Sequence, residues 1–413
     1  MDLTIKNITI VRLLLIIVSI FYVLFICDEI ATHLQVFTGE EIIGGLSSTL
    51  KIIGPIIAAC ILYFIIFPGQ EIKTSIFFKF FLLWTIVVSI NIWLNTPNLY
   101  TTTVIELILR QAFVHFSLFA FFYAAFKYYG DSLWTLFNYI VVGWYIIIAL
   151  AYSVNYSALA VLALGGKSNI LGVSYVLLYP LPLALCLKNR FWKWFCVAIG
   201  VIVVMSSIKR GGILALTFAM LVYYFVHSVY IKKTEHPVRN ILSVILSIII
   251  LIAGVVIFDQ KVNDGLIIER INSISEDDGS GRGEVVDYMI NYLPELTAKE
   301  LIVGSGFEGS INFSPLELTA HNDFLEVLYD YGLIGLIVYL YFYVLLFKKL
   351  RLLIRKKSEF AAPLAAGIAL FCFLAMISHI IIYLHFAWFA IMLGVFEGMD
   401  ANSNECECEY ECE

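Results

Sequence analysis

The chain is a row of apolar runs, most of them close to the length that crosses a lipid bilayer. They fall at about 11–27, 49–67, 74–94, 104–126, 134–153, 170–187, 191–208, 211–230, 241–258, 325–347 and 361–381, with a shorter one at 383–397. A helix that spans the hydrocarbon core needs about 20 predominantly apolar residues, so the pattern predicts about twelve transmembrane helices. Lipid offers the backbone no hydrogen-bond partners, so runs of this length must satisfy their own N–H and C=O groups as helices. The composition agrees, since 61% of the 413 residues are hydrophobic and 14% are charged, against a soluble norm of about 45–50% apolar. The expected fold is an all-α polytopic integral membrane protein with one large extracytoplasmic loop. No nucleic-acid partner is expected. The first apolar run has no small-residue cleavage site after it and is read as a retained span.

The basic residues orient the spans. Lys127, then Lys188, Arg190 and Lys193, then Lys232, Lys233 and Arg239, then the cluster from Lys348 to Lys357 fall on alternate connections. The positive-inside rule makes that side cytoplasmic, and the formal charge of −6 matters little because Asp and Glu contribute little to topology. Both termini then lie inside, while the connections at 28–48, 95–103 and 154–169 lie outside with the loop. The chain divides into 1–258 with nine spans, the loop 259–324, 325–397 with the last three spans, and an acidic tail 398–413. Cys27, Cys60, Cys186, Cys196 and Cys372 lie in or beside apolar runs and none lies in the loop, so they are core residues rather than a disulfide framework. In the tail, Glu alternates with Cys406, Cys408 and Cys412 without zinc-ligand spacing. It is read as disordered.

The loop is the one place with room for a polar substrate. Asp277–Gly281 is a turn cluster. From Arg282 to about Leu293 the pattern predicts a short amphipathic helix with Val286, Met289, Ile290 and Leu293 on its apolar face, ended by Pro294. Gly304, Gly306 and Gly309 mark a flexible strip. Asp323-Phe-Leu-Glu326 has the spacing of a capping box, which sets His321 and Asn322 just ahead of a helix N-terminus, where unpaired N–H groups favour an anion. That helix continues as an apolar run to about Phe347, so the anion would sit at a membrane surface, and a phosphorylated lipid fits it. No group of Asp, Glu and His on the outer side has metal-ligand spacing, and neither a metal nor a cofactor is expected.

Several bases defy the topological bias: Arg110, Lys209, Arg210, Arg270, Arg282 and His321. Holding a diphosphate would explain them. Plainer roles compete. Arg110 is placed to pair with Glu106 one helical turn away, and Arg210 to snorkel from a helix end, although Gly211 and Gly212 beside it permit close backbone or substrate approach. Asp330 is read as a polar residue at a helix interface, and Gly332-x-x-Gly335 as tight helix packing.

Four stretches together carry a resemblance: Lys209-Arg210-Gly211-Gly212; Gly281-Arg282 with a helical run after it; Gly304-Ser-Gly306-Phe; and His321-Asn322-Asp-Phe-Leu-Glu326 followed by Gly332-Leu-Ile-Gly335. In their order and membrane context, residues of about 200–345 resemble the O-antigen polymerase and ligase superfamily of bacterial envelope proteins. The resemblance implies a GT-C-like glycosyltransferase architecture and a metal-independent enzyme at the outer face of the inner membrane. Its donor would be a polyprenyl-diphosphate-linked saccharide, its acceptor a second lipid-linked repeat unit (a polymerase) or a lipid A–core or other envelope glycan (a ligase). A chain-length regulator or a flippase would be its protein partners. The resemblance implies catalytic roles for His321, Arg282 and Arg210, and substrate binding for Lys209, Asn322 and Glu326; Arg110 is added as a substrate-binding candidate by its place near the outer end of its span. A transporter of lipid-linked glycan would instead need polar residues through the midplane of several spans, whereas the charges here crowd one face.

Overall fold

The computed structural model describes residues 2–38, 45–63, 75–95, 101–163, 172–207, 210–231, 282–314, 319–378, 380–381 and 386–410, with isolated positions between 242 and 272. The described residues contain helices and turns and no strand. In chain order the α-helices are α1 (Asp2–Thr38), α2 (Gly45–Ile61), α3 (Ile76–Asn95), α4 (Thr101–Ile108), α5 (Val114–Ala163), α6 (Leu181–Leu185), α7 (Arg190–Ser206), α8 (Arg210–Val226), α9 (Arg282–Tyr292), α10 (Ala298–Val303), α11 (Asp323–Arg355), α12 (Ala361–Ile377) and α13 (Phe386–Tyr410).

Five helical stretches among the described residues are long and apolar enough to cross a membrane: Asn7–Leu24, Ile76–Asn95, Val104–Ser153, Arg210–Ile231 and Asp323–Arg355. The chain is an all-α polytopic membrane protein. The 50 residues of Val104–Ser153 would rise about 75 Å as one helix, over twice the hydrocarbon thickness. Tyr129, at φ −135° and ψ 20°, breaks it, and the break falls between the two runs expected at 104–126 and 134–153.

Two expectations change. The run at 170–187 is not one α-helix: a 3-10 turn, Gly172–Leu177, is followed by the short α6, with Pro180 and Pro182 unable to donate to a helical ladder. α13 reaches Tyr410, into the tail read as disordered. The run at 241–258 lies, apart from isolated positions, outside the described residues.

The chain forms two compact units. The first comprises Met1–Phe81, Phe113–Val203 and Ala387–Glu413. In it α1, α2 and α5 pack together, and Trp388 of α13 stands edge-on to Tyr22 (ring centroids 4.4 Å apart) and to Trp144 (5.0 Å). α13 meets α5 at Gly394 and Gly398, where a Cβ would stand 2.8 Å from the Phe119 carbonyl oxygen and 2.7 Å from that of Tyr123. Two small residues four apart let helix backbones touch, a frequent association device in lipid. Tight packing was also expected at Gly332-x-x-Gly335, where Gly332 lies against the backbone of Ile302 and Gly304. The second unit comprises Leu82–Ala112 and Val204–Phe386. In it α12 packs against α8 and α11, with Phe342, Phe371 and Phe386 meeting at ring distances of 5.4–5.9 Å.

Candidate functional site

The site is built on an interruption of α11. Gly332 has φ 66° and ψ −169°, a conformation essentially confined to glycine. Asp323–Tyr331 is therefore a short helix of its own, ahead of the membrane-spanning length. A helix that stops leaves its last carbonyls without intrahelical donors. Here the glycine strip supplies them: Ser305 N donates to Tyr329 O (2.8 Å) and Gly306 N to Asp330 O (2.9 Å). The buried Asp330 carboxylate accepts from Ser310 N (2.7 Å) and Glu308 N (3.2 Å). From α3, Asn91 Nδ2 donates to Asp330 O (3.0 Å) and to Val303 O, and Asn95 Nδ2 donates to Gly304 O (3.2 Å). A Cβ at Gly304 (φ 87°) would overlap the Asp330 carbonyl and stand 2.6 Å from Gly332 N. The strip expected to be flexible is thus pinned from two sides.

At the other end of the short helix the expected capping box is replaced. Asn322, in extended conformation, is the N-cap, and its Oδ1 accepts from Phe324 N (3.0 Å) and Leu325 N (3.2 Å). Asp323 turns inward, fully buried, and accepts from Ile380 N (2.7 Å), Ile381 N (3.3 Å) and the Tyr339 hydroxyl (3.0 Å). Glu326, also buried, reaches past the cap to accept from His321 N at 2.8 Å. His321 is half-buried and left-handed, with φ 50°, a region in which His is several-fold enriched over most residues. Two of the terminal N–H groups expected to receive an anion, those of Phe324 and Leu325, are therefore engaged from within, and two carboxylates already stand in the first turn. An anion here must be held by side chains.

α9 covers this segment. Val285 and Met289 pack with Ala320 and Tyr329, joined by Tyr292, Leu293 and Phe313, and the Tyr329 hydroxyl donates to Met289 O at 2.6 Å. The buried face is thus rotated from the one expected: Val285 replaces Val286, and Ile290 is 48% exposed. The cluster ties the helix that Arg282 opens to the segment that carries His321. Arg210 is half-buried at the first position of α8, and α8 and α11 both pack on α12. Arg110 is exposed in a π-helical turn, Leu109–Phe113. These residues, with Asn322 and Glu326, all belong to the second unit; Lys209 and Arg270 lie outside the described residues. Hydrogen bonds join His321, Asn322 and Glu326 into one local structure; α9, which Arg282 opens, packs on that segment, and α8, which Arg210 opens, packs on α12. Asn91 and Asn95, missed in the sequence, carry a signal there: two carboxamides one helical turn apart in an apolar run.

α10 carries the capping box that α11 lacks. Glu300 N donates to Thr297 Oγ1 (3.3 Å), and Thr297 N donates back to Glu300 Oε2 (2.8 Å). Hydrogen bonds from Thr297 hold the Glu300 carboxyl below the ordinary glutamate range. A depressed carboxylate pKa contributes stability above its unfolded value and loses it as pH falls through the folded value. Protection of the Ala298–Val303 amides relative to their intrinsic exchange should therefore fall on acidification in the native protein. Thr297→Ala should lower it at neutral pH by an amount equivalent to about 1 kcal/mol. Unchanged exchange in Thr297→Ala would show that the box does not hold this helix.

No group of three or more His, Cys, Asp or Glu gathers for a metal ion among the described residues. Comparison with curated proteins gives no match. The family model described as O-antigen ligase matches residues 195–340, a stretch that holds Arg210, Arg282, His321 and the break at Gly332. Through that region the chain is similar to the O-antigen polymerase and ligase superfamily.

Proposed function

We propose that this protein transfers a glycan from a polyprenyl diphosphate to a sugar hydroxyl at the outer face of a bacterial inner membrane, lengthening a lipid-linked chain as a polymerase. The supporting observation is the fixed, left-handed His321 ahead of a helix that stops short of the membrane-spanning length. In the reaction the acceptor oxygen attacks the anomeric carbon as the bond to the diphosphate breaks. The transition state is oxocarbenium-like, as in glycoside cleavage. His321 takes the acceptor's proton or donates to the departing diphosphate. Arg210 and Arg282 neutralise the charge growing on the leaving group, a role suited to the guanidinium fork. Both termini then lie in the cytoplasm. The transfer needs no metal in this scheme.

A second reading, transfer of the finished glycan to lipid A–core or another envelope acceptor, draws support from the description of the matching family as a ligase. Deleting the gene separates the two. A lost polymerase leaves single repeat units on the final acceptor, and a lost ligase leaves long glycan on the polyprenyl carrier with none on the acceptor. A deletion that alters neither glycan overturns both. In the complemented deletion strain, Arg210→Ala and Arg282→Ala should abolish product at matched membrane abundance, while Arg→Lys restores part of it. Full activity in either Ala variant removes that arginine from the scheme.

A further inference from the structure

The first unit holds a cavity of about 270 Å³ between the second half of α5 and the turn that leads from α6 into α7. Its lining combines one acid, Asp131, and one base, Lys188, with Trp134, Tyr139, Asn189 and Trp192. Asn189, exposed in the lining, is oriented by its own turn, its Oδ1 accepting from Phe191 N at 2.9 Å. Asp131 follows directly on the break at Tyr129, between two apolar runs, and Lys188 stands just ahead of the apolar α7. Both positions are those of a membrane–water boundary. Tyr139 in the lining is 63% exposed, and on α7 the neighbours of the lining residue Trp192 include Phe191, 67% exposed, and Trp194, 41% exposed. Exposed aromatic rings of this kind are typical of the headgroup level of a bilayer.

We propose that this cavity is a binding site for the headgroup of a zwitterionic aminophospholipid. The phosphate lies on Lys188 and the Asn189 amide, and the primary ammonium on Asp131 and the aromatic faces, which attract cations. A purely anionic headgroup would bring its charge against Asp131, and a soluble zwitterion would leave the exposed rings uncovered. A lipid satisfies both ends and lays its acyl chains over the rings. The site is independent of the proposed transfer reaction.

The test uses the full chain, purified in detergent and titrated with phosphatidylethanolamine or phosphatidylglycerol of matched acyl chains, with bound lipid counted by native mass spectrometry. The native protein should prefer phosphatidylethanolamine by roughly five-fold, the size expected of one solvent-exposed charge contact. Asp131→Asn should erase that preference, and Lys188→Ala should weaken the binding of both lipids. Asp131 and Lys188 are exposed, so neither change threatens the fold, and an unaltered melting temperature verifies this. Equal binding of the two lipids by the native protein overturns the proposal. So does a preference that survives Asp131→Asn, or binding that ignores Lys188→Ala.

Discussion

Replacing His321 by alanine should lower the proposed glycan transfer by about 10²–10⁴-fold, the usual contribution of a positioned acid–base group, while the protein still accumulates in the membrane. The second half of this expectation comes from the cap. Asn322, not His321, accepts from the free N–H groups of the short helix, and Asp323 is fixed to residues 380 and 381. Alanine in a left-handed position costs about 1–2 kcal/mol, part of which His321 already bears, too little to unfold the segment. His321→Gln then separates two chemistries, because the amide donates a hydrogen bond but cannot take a proton. Activity kept in Gln and lost in Ala assigns His321 to the diphosphate. Loss in both favours proton transfer from the acceptor. Glycan ladders from a deletion strain carrying each variant, compared at equal membrane abundance, give the answer. A normal ladder from His321→Ala would end its catalytic role.

Gly332→Val should remove the folded protein from the membrane altogether. The backbone conformation at Gly332 strains any side chain, at about 1–3 kcal/mol, and a Cβ would overlap the Ile302 carbonyl group and stand 2.6 Å from Gly304 N. Relief requires moving the strip away, which breaks the Ser305–Tyr329 and Gly306–Asp330 hydrogen bonds at roughly 1 kcal/mol each or more for buried groups. Together with the steric overlap these reach the low end of the stability of an ordinary domain, about 5–15 kcal/mol. Gly143→Ala is the contrast, since a Cβ there meets nothing within 4 Å, and it should melt at or slightly above the native temperature. Fluorescence-detected size exclusion after a heating series compares the two. A monodisperse Gly332→Val protein with native melting would show that the break is not required.

The membrane character and the His321 segment were legible because both are local. Apolar length declares a span without reference to any partner, and a cap-forming cluster before an apolar run declares a helix start. The identity of the cap was not legible. Asn322 and Asp323 are both good caps, and the choice was made by backbone donors at Ile380 and Ile381, 57 and 58 positions away. The buried face of α9 was set in the same way by Tyr329, 40 positions on from Met289. In the glycine strip, spacing signalled freedom, whereas the Asp330 carboxylate and two α3 carboxamides remove that freedom. Each miss is a long-range hydrogen bond or contact overruling a correct local preference.

The interruption at Gly332 also has a mechanical meaning. Spanning helices change their tilt to match the thickness of the surrounding bilayer, over a range of about 0–40°. A continuous α11 would act as a lever and swing His321 with every such adjustment. The missing rungs of the ladder make a joint instead. Beyond that joint the short helix is anchored by Asn91 at one end and by residues 380 and 381 at the other, so its bearing is referenced to neighbouring protein and not to lipid thickness.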